Sequence, residues 1–169
     1  MAARIIDLLC AFLAVTAVLL CGCGGEKSAG VKPELSFTAD FTAEYRGLGL
    51  KGSLTSLRQG VCSMRFSSPD TLDGLGISFR NGEASLRRGG AEATADEGYL
   101  PCNAFPSLLE ELLRAAATGD AVKAEDNSYT YNITAGESVL ETDENGLPQS
   151  AVIPSAEFSV EFSNSKPLE

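Results

Sequence analysis

From Leu35 to Tyr45 apolar and polar residues alternate without a break: Leu35, Phe37, Ala39, Phe41, Ala43 and Tyr45 against Ser36, Thr38, Asp40, Thr42 and Glu44. A period of two is the spacing of a strand with one buried and one wet face, so this stretch is predicted to open a sheet. Shorter stretches of the same kind follow. Ser53 to Leu57 and Val61 to Ser67 flank Arg58-Gln59-Gly60, whose glycine suits a tight turn, and Pro69 ends the second. Leu75 to Arg80 and Glu83 to Arg88 flank Asn81-Gly82, the strongest short hairpin signal. Gly89 to Pro101 has no apolar periodicity and is expected to be a loop.

The period then changes. Leu108, Leu109, Leu112 and Leu113, continued by Ala115 and Ala116, form a stripe at helical spacing, which predicts a helix over Ser107 to Thr118. Ser107 and Glu110 have the spacing of a capping box, Glu110 and Arg114 that of an i,i+4 ion pair, and Gly119 supplies a stop. Strands resume as Ala121 to Glu125 and Ser128 to Thr134 around Asp126-Asn127. Glu137 to Thr142 and Gln149 to Ile153 follow around Asn145-Gly146, and Ala156 to Phe162 comes after Pro154. The closing residues are expected to fray. About nine or ten short hairpin-linked strands with one helix imply a mainly β (α+β) domain with an antiparallel sheet. Nearly every strand is apolar on one face only, so one shared cover is needed. A curved antiparallel sheet, or half-open β-barrel, covered by one amphipathic helix meets that requirement.

Ahead of this domain stands a different kind of segment. Met1 to Arg4 carries one basic side chain, and Leu8 to Leu20 contains a single polar residue, Thr16. The run is shorter than the roughly 20 apolar residues that span a bilayer, and it ends in small residues, as an export signal does. Leu20-Cys21-Gly22-Cys23 resembles the lipobox of bacterial lipoproteins. That resemblance implies cleavage between Gly22 and Cys23, lipid attachment at Cys23, and an extracytoplasmic protein on the outer face of the membrane, or at an outer membrane in a two-membrane host. Residues 1–22 would be the signal, 23–34 a flexible tether, 35–164 the domain and 165–169 a disordered tail. Of five cysteines, Cys62 and Cys102 would then remain, and an exported pair can form a disulfide or stay as free thiols.

Charge and chemistry narrow the function. The chain carries 13 basic and 23 acidic residues, a formal charge of −10, which repels phosphate backbones and argues against nucleic acid as a partner. Attachment to a membrane would therefore come from acylation rather than from a basic surface. The absence of histidine removes the commonest general base, and with it Ser/His/Asp and Cys/His arrangements. Gly47 to Gly52 satisfies GxGxxG but is followed by a strand pattern rather than a helix, so hairpin glycines are the reading. Glu141 to Gly146 begins like a calcium loop, yet Val152 stands where a bidentate glutamate is required. Neither a metal nor a cofactor is expected, and no catalytic residue is assigned.

The order of parts resembles the LolA/LppX superfamily of lipoprotein and lipid carriers. The residues concerned are Gly52-Ser53-Leu54, Arg58-Gln59-Gly60, Phe66-Ser67-Ser68-Pro69, Asn81-Gly82-Glu83, Phe105 to Leu113, Asp143 to Pro148 and Val160 to Asn164. The soluble carriers of that superfamily start with a helix, so its membrane-anchored LppX-like lipid binders are the nearer comparison. The resemblance implies an unclosed antiparallel barrel covered by helix, a non-enzymatic role, and a lipid acyl chain, lipoprotein or other apolar ligand on its concave face. Candidate lining residues are Phe37, Phe41, Met64, Phe66, Leu109 and Leu112. The alternative for the same residues is a filled core, in a module that binds an envelope protein.

Overall fold

The computed structural model describes residues 32–57, 60–119 and 121–168. Gly22 and Cys23 lie outside them, as do Arg58 and Gln59 of the predicted turn.

Among the described residues eleven strands form one antiparallel sheet. They are β1 (Phe37–Tyr45), β2 (Leu48–Leu57), β3 (Val61–Ser68), β4 (Gly76–Arg80), β5 (Glu83–Arg88), β6 (Ala91–Asp96), β7 (Lys123–Glu125), β8 (Ser128–Ile133), β9 (Gly136–Thr142), β10 (Pro148–Ile153) and β11 (Phe158–Pro167). The spatial order is β6-β5-β4-β3-β2-β1-β11-β10-β9-β8-β7, so the chain's first and last strands pair at the centre. The sheet is not closed: β6 and β7 are its two edges, and helix α1 (Phe105–Thr118) connects one edge to the other. This is the mainly β architecture that the periodicity predicts.

Turn chemistry holds the register. Arg46 and Gly47, Asn81 and Gly82, and Asp126 and Asn127 all have positive φ at both positions, the primed geometry whose twist matches that of the flanking strands. Asp143 Oδ1 accepts hydrogen bonds from the amides of Asn145 and Leu147 at 2.8 and 2.9 Å. The calcium-like segment is thus a side-chain-stapled turn.

Four expectations are corrected. Ala91–Asp96, inside the predicted loop, is strand β6, paired with β5 from Glu83↔Asp96 to Arg88↔Ala91. All six of its residues are exposed, so no buried face imposed an apolar alternation. The helix starts two residues early, at Phe105. Its N-cap is Ala104, which offers no side-chain bond, so the Ser107–Glu110 capping box does not form. Pro106, in the first turn, lacks an amide that would otherwise need a cap. Pro154–Ala156 is a 3-10 turn, and β11 begins only at Phe158. At its far end β11 runs through Pro167, because Thr38↔Lys166 and Phe37↔Pro167 extend the central ladder past Phe162, where the apolar alternation ends.

One face of the sheet supplies the core. Phe37, Leu54, Met64, Leu140, Ile153, Phe158 and Val160 join Leu108, Leu109, Leu112 and Leu113 of α1 in a single buried cluster. Burying each of these leucines is worth about 2 kcal/mol, so the stripe holds the helix to the sheet by roughly 8 kcal/mol.

Candidate functional site

Two regions around α1 are candidates for a site: the apolar seam between helix and sheet, and a slot beside the helix.

Phe105 anchors the seam. Its ring stacks on Phe158 with centroids 5.1 Å apart and touches Phe41, Phe66 and Tyr45 at 5.6, 6.0 and 6.3 Å. Tyr45 in turn donates its hydroxyl to the carbonyl of Asn103, tying the loop before α1 to the first strand. Phe37 meets Phe162 edge-on at 5.9 Å. The structure brings all six sequence-predicted lining residues into this one cluster. Phe37, Leu109 and Leu112 have no exposed surface, and Phe41, Met64 and Phe66 have almost none. In this conformation the helix therefore occupies the concave space itself. Phe105 was legible only as the start of the helical cover; its central place depends on strands far away in sequence.

The slot has a volume of about 460 Å³ and lies where α1 meets the loop after β6 and the turn between β8 and β9. Phe79, Leu100 and Pro101 supply apolar wall, and Glu97, Ser107, Glu110, Glu111 and Arg114 supply polar wall. Glu111 Oε1 accepts from the amide and hydroxyl of Thr134 at 2.8 and 2.7 Å, pinning the β8–β9 turn to the helix. The expected Glu110–Arg114 pair is present at 3.1 Å, but Glu110 is buried rather than solvated. Burial pushes its carboxyl above the ordinary range; Arg114 pulls it down and the charge of Glu97 pushes it up. The Ser107 hydroxyl is buried without a hydrogen-bond partner. Solvent-facing periodicity could not announce either burial, since both residues lie beside the apolar stripe.

Cys62 and Cys102 are free thiols: Cys62 sits in the core, where burial raises its pKa, and Cys102 is exposed at the rim of the slot. Burial also pushes the Tyr131 hydroxyl up to about 12, with neighbouring Tyr129 adding to the shift. Among the described residues no three metal-ligating side chains converge, and no helix is long and apolar enough to cross a membrane.

No protein-family description and no curated protein matches the chain. Solved structures do. An uncharacterized conserved protein from Thermus thermophilus aligns over 80% of both chains with 8% identity and a TM-score of 0.50. A LolA superfamily protein from Nitrosomonas europaea aligns over 85% of this chain and 91% of its own, with 11% identity and a TM-score of 0.42. At 8% identity the first likeness concerns the fold alone.

Proposed function

We propose that this chain is a non-enzymatic lipoprotein anchored through Cys23 to the outer face of the membrane. Its half-barrel takes up a lipid acyl chain or similar apolar ligand by letting α1 give way. The observation that carries this reading is how the helix is held. Its buried stripe lies against an apolar concave sheet through side chains, Glu111 adds its two bonds to Thr134, and among the described residues no backbone ladder joins helix to sheet. A ligand that supplies equivalent apolar surface can therefore replace it. At about 0.8 kcal/mol per methylene, roughly ten methylenes match the four leucines, so long chains can displace the helix and short ones cannot. The resemblance in motif order, the lipobox-like leader and the lack of histidine support the same reading.

The test is a titration of the full-length chain in detergent with fluorescent fatty acids of graded length, alongside native mass spectrometry for lipid that co-purifies non-covalently. Saturable one-to-one binding above about ten carbons, with faster amide exchange in α1, is the expected result. A second reading, a filled-core module with a protein partner in the envelope, is favoured by the complete burial of Leu109 and Leu112. Absence of lipid and of saturable binding at every chain length overturns the first reading, and a partner cross-linked in intact cells then establishes the second.

A further inference from the structure

The opposite, convex face carries a second feature that does not depend on the apolar seam. The registers of β2 to β6 place Thr55, Ser63, Ser78, Ser85 and Thr94 in one row across five strands. Ser85 and Thr94 are close enough to share a hydrogen bond at 2.9 Å. The next row on the same face reads Ser53, Arg65, Gly76, Arg87 and Glu92. Two arginines therefore flank a position with no side chain. Adjacent strands lie about 4.8 Å apart, so the Arg65 and Arg87 backbones are separated by roughly 10 Å.

Gly76 is not there for want of space. A β carbon would meet nothing nearer than the Arg87 carbonyl oxygen at 3.7 Å and the Met64 carbonyl oxygen at 3.8 Å, both ordinary contacts. Its φ is not among the positive ones either. A glycine inside a strand weakens the strand, and this one leaves a gap. The gap belongs to a groove of about 480 Å³ that also includes Ser63, Ser78, Ser85 and Arg88. Its charged lining is Arg65, Arg87, Arg88 and Glu92, net positive on a chain whose formal charge is −10. Glu92 takes one arm of Arg87 at 2.8 Å, and Arg88 donates to the Thr71 carbonyl at 2.9 Å. Arg65 has no carboxylate partner among the described residues.

We propose that this groove is a binding site for an organic phosphate bearing hydroxyl groups, the phosphate bridging Arg65 and Arg87 over Gly76 and the hydroxyls lying along the serine row. Guanidinium forks match phosphate oxygens with paired donors, and a tetrahedral phosphate has acceptors for both forks at once. Serine hydroxyls both donate and accept, which suits a polyol rather than an apolar extension. Such a phosphate is found in soluble polyol phosphates and in the headgroups of glycerophospholipids.

The experiment follows the Arg65 and Arg87 Nε–Hε NMR signals of the full-length chain in phosphatidylcholine nanodiscs. One arm adds glycerol 3-phosphate; the other replaces part of the phosphatidylcholine with phosphatidylglycerol. Saturable shifts in the first arm identify a soluble polyol phosphate, and shifts in the second alone identify the lipid headgroup. Arg65→Gln with Arg87→Gln should weaken binding at least tenfold. Gly76→Val, which keeps the charge and fills the gap, should do the same, whereas Lys166→Gln should leave it unchanged. No shift in either arm overturns the proposal, and so does undiminished binding by the double arginine variant or by a folded Gly76→Val.

Discussion

The ring of Phe41 packs directly on Gly52, its partner across the β1–β2 ladder: a β carbon at Gly52 would come within 2.8 Å of ring atoms Cε1 and Cζ and run into the Arg65 carbonyl oxygen. Here the register against β3 also slips, so the glycine stands at a bulge. The last glycine of the GLGLKG run is thus required by close approach of ring and backbone, and β2 continues through it with no helix following. Gly52→Ala should cost about 1–3 kcal/mol, the usual range for overpacking, read as a lower urea midpoint. An unchanged midpoint would mean that both the Phe41 ring and the β3 backbone at Arg65 give way freely.

Leu109 and Leu112 stand at the centre of the helix–sheet contact with no exposed surface. Either leucine changed to alanine should lose about 2–5 kcal/mol of stability by denaturant unfolding. If the concave face takes an acyl chain, the same variants should bind a long fatty acid more tightly than wild type, because less apolar surface must be displaced. Equal or weaker binding by folded variants would argue for the filled-core module.

Glu110 predicts a pH effect with a defined sign. Its folded pKa is raised above 4.5 by burial, so the folded state favours the protonated form. Its contribution to stability is fully present below the unfolded value and is lost as pH rises through the folded value. The stability difference between Glu110→Gln and wild type should therefore shift in the variant's favour as pH rises from about 4 to 7. A difference that is flat or runs the other way would show that Arg114 outweighs burial.

The two thiols should react very differently. Cys102 is exposed and Cys62 lies in the core with its pKa raised. The thiolate is the reactive form, so maleimide should label Cys102 in the native protein and Cys62 only on unfolding. Peptide mapping reads this directly; neither residue labelled under non-reducing conditions would indicate a disulfide between them.

Membrane attachment through Cys23 predicts that Cys23→Ala moves the protein from the membrane fraction to the soluble one, with loss of the acylated N-terminal peptide in mass spectra. Retention in vesicles as firm as wild type would remove the lipoprotein reading and leave the fold unaffected.

The periodicity of Leu35 to Tyr45, the Asn81-Gly82 and Asp126-Asn127 turns and the leucine stripe of α1 were all legible in the amino-acid order. Each depends on neighbours within one strand, one turn or one helix. So the sequence by itself determined, for the described residues, a mainly β run of hairpins with a single one-sided α-helix. Strand β6, the run of β11 to Pro167, the burial of Glu110 and the placing of Arg65 and Arg87 on either side of Gly76 were decided only in the tertiary structure. They arise from register between strands and from what the helix covers. A local pattern says which way a side chain faces, whereas the ladder and the packing determine what it faces.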